Sequence, residues 1–253
     1  MVTLAEVVAS ADAWLQPSLF QDYDRAWNGL QVENRGTVTR LAAAVDASMT
    51  TINRAIDAGA NLMVVHHGLF WNETRPWTGR RYALLKRLMD HDLAIYSQHL
   101  PLDGHPRLGN AAQLAAGLGW NVQQPFFYRS GVAIGVQSTL AEPLNRDELG
   151  LRLGACLGRP PLLLPGGPTL CQRIGICTGG AGSDLAQAVA EGVDTFITGE
   201  GPHWTHALAE DLGLNVFYGG HYATETFGVK ALASELGAVF GLPWTFIDHP
   251  SGL

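Results

Sequence analysis

An adjacent pair of histidines, His66 and His67, ends the short apolar segment Asn61–Val65. Imidazoles at the end of a buried strand need partners, because leaving their nitrogen atoms unsatisfied away from water costs free energy. Divalent metal ions supply such partners, and so do hydrogen-bonding groups. The pair therefore indicates either a metal site or a hydrogen-bonded strand end, and the pattern alone does not decide between them.

Two further histidines are each followed by a carboxylate four residues later. Asp103 follows His99 at this spacing, and Glu225 follows His221. If a helix begins near Tyr222, His221 and Glu225 lie on one face of it, about one turn apart. The same residues are also compatible with an ordinary pair at a helix start and, for Asp103, with a turn.

Five of these residues form a set suited to metal binding: His66, His67, Asp103, His221 and Glu225. Three imidazoles and two carboxylates are ligands that zinc, iron or manganese accept. A carboxylate can bridge two such ions roughly 3.5–4 Å apart, and the ions lower the pKa of a bound water to near neutrality. Taken together, the set suits two divalent metal ions per subunit and the chemistry of a metal-dependent hydrolase, a prediction that depends on the resemblance described below.

His99 and Glu200 are candidates for moving protons near this set. His99 follows the segment Leu93–Ser97, and its interpretation as a ligand, a proton carrier or a residue behind a ligand stays open. Glu200 follows Thr195–Thr198 and could orient a ligand, act as a general base or form a structural salt bridge. The glycine-rich segment Gly179–Ser183 indicates a tight turn or, alternatively, an anion cradle at a helix N-terminus.

Short apolar segments alternate with helical patterns, which predicts an α/β fold with parallel or mixed sheets. The predicted strands are Arg40–Val45, Asn61–Val65, Leu93–Ser97, Arg173–Thr178, Thr195–Thr198, Asn215–Tyr218 and Trp244–Ile247. The predicted helices are Met1–Leu15, Thr50–Ala58, Tyr82–Asp90, Asn110–Gly117, Glu142–Leu157, Asp184–Glu191, His206–Leu212 and one that follows the loop 219–224 and ends at Leu236. Ligands of such sheets bind at the carboxyl ends of strands, where the candidate histidines fall.

The second half of the chain repeats the plan of the first. Ala58–Asn61 aligns with Glu191–Asp194, and the same shift aligns His66–Gly68 with Gly199–Gly201. We interpret this as a weak internal duplication, with a chance match between short βαβ units as the alternative.

The duplication predicts two related α/β halves. The first half is residues 1–127, with the adjacent histidines and Asp103, and the second is residues 128–253, with the pair His221 and Glu225. We expect the C-terminal segment to pack back on the first half. The proline- and glycine-containing segment Pro125–Pro168 is predicted to be the least regular region.

Composition limits the class of protein. The chain has 253 residues, of which 47% are hydrophobic and 15% charged, and this predicts a globular rather than a disordered protein. Its net charge of −7 argues against a nucleic-acid partner, which requires clustered lysine and arginine. The three cysteines form no Cys-x-x-Cys pair, and no apolar stretch approaches the roughly 20 residues that span a bilayer. We expect a cytoplasmic protein without a membrane partner.

An ordered set of motifs resembles those of one known family. The motifs are Asp24-Arg25-Ala26-Trp27 with Asn28–Val32, Val64–Gly68 with Phe70-Trp71, His99–Asp103 continuing to Asn110, Ile197–Glu200, Gly220–Glu225 and Thr245–Asp248. Together, from about residue 3 to residue 250, they look like the Nif-three-like family, often labelled GTP cyclohydrolase I type 2.

The resemblance implies a Nif-three-like fold of two α/β domains, assembled into a ring-shaped homohexamer with metal ions facing the central cavity. The family's dinuclear-site motifs fall on the five residues of the predicted set, with Glu225 as the bridging carboxylate, and His99 matches a family histidine close to the metals. The implied activity is GTP cyclohydrolase, which opens the imidazole ring of GTP, releases formate and leaves dihydroneopterin triphosphate.

Two positions depart from the family pattern. Tyr222 occupies a place for a second histidine among relatives, which bears on metal choice. The loop Gly201–His206 is particular to this chain, which bears on substrate access. Two other functions stay open. One is a metal-dependent hydrolase acting on a phosphoester, nucleotide or peptide-like bond, and the other is a non-enzymatic metal-binding scaffold or regulatory protein.

Overall fold

The structure is a computed structural model, and its described residues are 1–24, 26–71, 76–120 and 123–253. Arg25, which belongs to the motif before Trp27, lies outside the described residues. The chain divides into two units. The first comprises Met1–Leu102 and Gly228–His249, and the second comprises Asp103–Phe227 and Pro250–Leu253.

Strands and helices alternate along the chain, which confirms the predicted α/β class. The strands are β1 (Val2–Thr3), β2 (Gly29–Val32), β3 (Thr37–Val38), β4 (Leu41–Asp46), β5 (Leu62–His67), β6 (Ala94–Ser97), β7 (Gln124–Arg129), β8 (Val132–Asn145), β9 (Leu162–Pro165), β10 (Leu170–Ile176), β11 (Thr195–Thr198), β12 (Asn215–Tyr218) and β13 (Trp244–Phe246). The helices are α1 (Leu4–Leu15), α2 (Met49–Asp57), α3 (Gly79–Asp90), α4 (Leu100–Asp103), α5 (Asn110–Gly117), α6 (Arg146–Leu157), α7 (Leu185–Ala190), α8 (Thr205–Leu212), α9 (His221–Thr224) and α10 (Thr226–Phe240). Among the described residues, no helix has the length and apolar character needed to cross a membrane.

The first unit is built on a sheet with the strand order β13, β4, β5, β6, β2. Parallel pairing joins β13 to β4, β4 to β5 and β5 to β6, whereas β2 is antiparallel to β6. Residues 41–45 and 62–65 of the inner strands are all buried, as expected for parallel strands covered on both faces. The carboxyl ends of β4, β5 and β6 therefore share one edge of the sheet.

Side-chain caps fix where the first two helices begin. Thr3 and Glu6 form a capping box at α1, and Ser48 and Thr51 exchange the equivalent hydrogen bonds at α2. Each cap contributes about 1 kcal/mol, because it satisfies backbone N–H groups that the first turn leaves open. α2 then buries Ile52 in a core shared with β4, β5 and β6, and truncating this side chain to alanine would cost about 2–5 kcal/mol.

The second unit is built on a sheet with the strand order β7, β8, β10, β11, β12, β9. β10, β11 and β12 are parallel, and the other pairings are antiparallel. Leu114 of α5 and Leu149 of α6 share one core cluster with Ile174 and Phe217 of the sheet. The first unit thus has four neighbouring parallel strands and the second has three, and the relation between the two halves stays a prediction.

Two sequence predictions for the middle of the chain were wrong. The segment Pro125–Pro168, predicted to be the least regular, contains β7, β8, α6 and β9. Its proline at position 125 lies on β7, at the edge of the sheet, where a missing N–H is tolerated. Helix α6 begins only at Arg146, not at Glu142, because the chain is still in β8 up to Asn145. The Asn145 side chain then caps the helix by accepting the N–H of Asp147 at 2.8 Å.

The division between the units differs from the expected boundary at 127/128. That boundary would cut β7, which pairs with β8 as an edge of the second sheet. Gly228–His249 belongs to the first unit, where β13 pairs with β4. Asp103 accordingly belongs to the second unit.

Candidate metal centre

The carboxyl ends of β5 and β6 bring three histidines together in the first unit. His66 and His67 end β5, and His99 follows β6, whose Ser97 pairs with Val65. The ring centroids lie 4.8 Å apart for His66 and His67, 4.9 Å for His66 and His99, and 5.6 Å for His67 and His99. One ligand atom of each lies within 4.8 Å of the others, a cluster that could hold a metal ion.

An oxygen atom at Nδ1 orients the first two imidazoles. His66 Nδ1 lies 2.9 Å from the carbonyl oxygen of Gln98, and His67 Nδ1 lies 2.8 Å from Oδ1 of Asp46. Asp46 is in place because it ends β4 in register with His67. Since an oxygen accepts the proton of Nδ1, each neutral ring presents the lone pair of Nε2 as its ligand atom.

The third imidazole, His99, is held by the buried carboxylate of Asp22. Oδ1 of Asp22 lies 2.8 Å from His99 Nδ1 and also accepts the N–H of Tyr23 at 2.7 Å. Oδ2 accepts from Asn28 Nδ2 at 2.8 Å and from the N–H of Leu100 at 3.1 Å. Burial alone would raise the pKa of Asp22, but the hydrogen bond and charge of His99, followed by Asn28 and Tyr23, bring it below its usual value.

Asp22 and Asp46 were not among the residues predicted from the sequence. Asp46 ends the strand next to β5, so the rule that ligands gather at carboxyl ends of strands could have found it. Asp22 lies in no helix or strand, and it left no periodic signal. Both residues lie behind an imidazole, where they orient it.

In the second unit, His221 lies between two carboxylates. The turn after Tyr218 passes through Gly220 at a φ of 98°, which glycine adopts without strain, and α9 begins at His221. His221 Nδ1 lies 2.8 Å from Glu200 Oε1, and Nε2 lies 3.1 Å from Glu225 Oε2. Burial alone would lower the pKa of His221, but Glu225 and then Glu200 raise it to about 9. A metal ion that binds Nε2 would therefore replace a proton.

A glycine at position 179 lets the backbone approach the carboxylate of Glu225. Gly179 has a φ of 68°, and a Cβ there would overlap Oε1 of Glu225, which is itself buried. The carbonyl oxygen of Gly179 accepts the N–H groups of Gly199 and Glu200 at 2.9 and 3.0 Å. The glycine-rich segment therefore acts here as a tight turn against the carboxylate, and the anion cradle stays a prediction.

Asp103 ends the short helix α4, at a position where the sequence was also compatible with a turn. Pro101 lies in the first turn of this helix, where its missing N–H costs no hydrogen bond. Asn110 Nδ2 donates to Asp103 Oδ1 at 2.8 Å, and Thr178 Oγ1 donates to the same oxygen at 3.4 Å. The carboxylate is thus oriented within the second unit.

The donors of both units suit divalent metal ions. The first unit offers imidazole nitrogens, and the second offers the carboxylates of Asp103 and Glu225 with the imidazole of His221. Nitrogen and oxygen ligands of this kind fit zinc, iron or manganese. The predicted site would join His66 and His67 of the first unit with three residues of the second, Asp103, His221 and Glu225. That these five residues form one site stays a prediction.

Known proteins resemble the chain over nearly its whole length. A sequence profile of the Duf34/NIF3 (NGG1p interacting factor 3) family matches residues 2–251. Two relatives are named GTP cyclohydrolase 1 type 2 homolog. The Halobacterium salinarum protein is 44% identical over 92% of this chain and 93% of its own, and the Pseudomonas aeruginosa protein is 39% identical over 99% and 98%. A solved structure described as protein ybgI, of unknown function, is 38% identical and matches 100% of both chains with a TM-score of 0.91. The chain belongs to the Duf34/NIF3 family.

Proposed function

We propose that this protein is a metal-dependent hydrolase with one site for two divalent ions, formed by His66, His67, Asp103, His221 and Glu225. The observation that carries the proposal is the common orientation of the imidazoles. His66, His67 and His221 each have Nδ1 against an oxygen atom, which makes Nε2 the ligand atom. Metal-binding histidines are held in this way, because the second hydrogen bond fixes the tautomer and the direction of the ring.

The carboxylates supply the negative charge that two divalent ions need. Glu225 is buried and contacts His221 Nε2, which supports its proposed role as the bridging carboxylate. Asp103, oriented by Asn110, adds the second carboxylate. Bound divalent ions supply Lewis acidity and lower the pKa of water to near neutrality.

GTP cyclohydrolase is the specific activity we propose, supported by the sequence resemblance and by the names of the relatives. The reaction opens the imidazole ring of GTP and releases formate. Because Asp22 holds His99 Nδ1, Nε2 of His99 is the atom that would take up and return a proton. The bond from Glu200 to His221 Nδ1 favours an orienting role for Glu200 over a role as general base.

We also propose that the chain assembles into a ring-shaped homohexamer in the cytoplasm. The support is the family resemblance. Light scattering of the purified protein should give a mass of about six chains. A monomer mass at micromolar concentration would reject the ring.

The direct test of the activity is formate release from GTP by the metal-reconstituted protein. Asp103→Asn should reduce the release to background, because it removes a charge needed to hold the ions. Asp90→Asn is the matched control, since Asp90 is an exposed carboxylate of α3 paired with Lys86. Release that does not depend on Asp103 would reject the site. No release by protein with its full metal complement would reject GTP and direct the search to phosphoester, nucleotide and peptide-like substrates.

A further inference from the structure

Two aromatic side chains, Tyr23 and Trp71, lie beside the imidazoles of the first unit, and we call them the aromatic wall. The centroid of the Trp71 ring lies 4.6 Å from that of His99 and 5.5 Å from that of His67, with interplanar angles of 86° and 66°. The Tyr23 centroid lies 5.7 Å from that of His99 and 6.2 Å from that of Trp71. The wall is therefore in direct contact with the candidate metal-binding cluster.

Hydrogen bonds brace the two loops that carry the aromatic wall. Gln31 Nε2 donates to the carbonyl oxygen of Trp27 at 2.7 Å, and Gln31 Oε1 accepts the N–H of Leu69 at 2.6 Å. The N–H of Trp27 also donates to the carbonyl oxygen of Phe70 at 3.3 Å. Gln31 falls at the irregularity in the pairing of β2 with β6, and such bulges redirect side chains out of the sheet pattern.

Asp22 ties the aromatic wall to the imidazole cluster. Its Oδ1 accepts the N–H of Tyr23 at 2.7 Å and lies 2.8 Å from His99 Nδ1. The Asp22 side chain is only 6% exposed, so water competes little for these bonds. The main chain of Tyr23 is thus held relative to the imidazole of His99 before a ligand binds, which lowers the entropy cost of binding.

The wall is held in place, yet it is incompletely covered by protein. Tyr23 is 46% exposed, and Trp71 is half-buried. Each square ångström of apolar surface that a ligand covers contributes about 25 cal/mol. Small-molecule sites commonly combine such aromatic surface with a few polar groups, and a planar ring gains most from it because it stacks without ordering flexible bonds.

We propose that Tyr23 and Trp71 form a stacking subsite for a planar heteroaromatic ring of the substrate, held beside His67 and His99. The choice of a purine as this ring rests on the proposed function. If the substrate is GTP, the stacked ring is also the ring that opens, so the wall positions the reacting carbon beside the imidazole cluster.

Calorimetric titration of the metal-loaded full chain with guanosine tests the subsite without relying on turnover. Tyr23→Ala and Trp71→Ala should each weaken guanosine binding on the order of tenfold or more, the usual loss when a stacking side chain is truncated. Tyr23→Phe and Trp71→Phe retain a ring and should bind guanosine like the wild type. Tyr82→Ala is the matched control, because Tyr82 is a 57% exposed tyrosine on α3.

Ribose and inorganic triphosphate, which lack the heteroaromatic ring, should bind the two alanine variants and the wild type equally. The proposal is overturned if the wild type does not bind guanosine, if the alanine variants bind it unchanged, or if ribose binding falls in parallel. Wall-dependent guanosine binding without formate release from GTP would reject the proposed activity and retain the subsite. Formate release from GTP by a protein whose guanosine binding does not depend on the wall would retain the proposed activity and reject the subsite.

Discussion

The two units arrange their candidate ligands in contrasting ways. In the first unit, the imidazoles of His66, His67 and His99 gather at the edge of a parallel sheet, and the carboxylates of Asp46 and Asp22 stand behind two of them. These two carboxylates therefore contact Nδ1 atoms and orient the imidazoles.

In the second unit, the carboxylates themselves are the candidate ligands. Burial alone would lower the pKa of His221, but its ion pairs with Glu225 and Glu200 raise it to about 9. Burial, followed by the charges of Asp103 and Glu225, raises the pKa of the buried Cys177 thiol well above its usual value. The first unit thus offers imidazole nitrogen atoms as candidate ligands, and the second adds carboxylates whose negative charge would compensate that of divalent ions.

The largest effect should follow from removing charge in the second unit. Glu225→Gln should lower the metal content from two ions per chain to one or none, because an amide cannot bridge two cations as a carboxylate does. Elemental analysis after dialysis measures this. Glu210→Gln, a change at an exposed carboxylate of α8, is the control and should retain both ions. Two ions in the Glu225→Gln protein would show that Glu225 is not needed to bridge them.

A smaller effect should follow from removing a brace in the first unit. Asp46→Asn should weaken metal binding by about 10- to 100-fold, the usual cost of losing a residue that orients a histidine ligand. Asp22→Asn should leave metal affinity near that of the wild type if His99 carries protons, and should reduce formate release instead. Competition with a chelator measures the metal affinity of both variants. Asp57→Asn, on the exposed side of α2, is the control. Equal losses of metal affinity in the Asp46→Asn and Asp22→Asn proteins would show that His99 is itself a metal ligand.

Substituting the glycine that faces Glu225 should reduce stability. Gly179→Ala introduces a Cβ that overlaps Oε1 of Glu225 at a left-handed φ of 68°, and it should cost about 1–3 kcal/mol. Gly59→Ala is a matched control, because Gly59 has a φ of 73° but nothing within 4 Å of the added Cβ. Urea unfolding of both variants separates backbone strain from packing. Equal destabilisation would mean that the space beside Glu225 is not tight.

The smallest expected effect is a pH dependence of stability in the metal-free protein. The pKa of His221 is raised from 6.5 to about 9, so its contribution to stability is fully present below pH 6.5 and is lost as the pH rises through 9. As the pH rises from 6.5 to about 9, the free energy of unfolding of the wild type should therefore fall relative to that of His221→Gln, which lacks the titrating ring. Parallel profiles would contradict the ion pairs around His221, and nuclear magnetic resonance titration of the ring measures its pKa directly.

Much of the parallel core could be predicted because its signal is local. The bounds of β11, β12 and α5 agree with the sequence analysis, since apolar runs flanked by glycine or polar residues mark buried strands and short helices. The strand β8 was missed, because its second half, exposed and containing Pro143, carries no continuous apolar run. Helix α4 was missed because a four-residue helix shows no periodicity.

The candidate site shows the same difference between local and long-range signals. His66, His67, His221 and Glu225 were predicted as ligands because neighbours in sequence form recognisable motifs. Asp46 reaches His67 through strand register, and Asp22 reaches His99 through a loop fold, so neither contact has a spacing that a sequence shows.

The central claim is that ligands from both units hold two ions, and anomalous diffraction from crystals of the metal-reconstituted protein tests it most directly. We expect two anomalous peaks per chain roughly 3.5–4 Å apart, with Nε2 of His66, His67 and His221 and the carboxylates of Asp103 and Glu225 at bonding distance. A single ion bound by the histidines of the first unit, with Glu225 still bonded to His221, would contradict it.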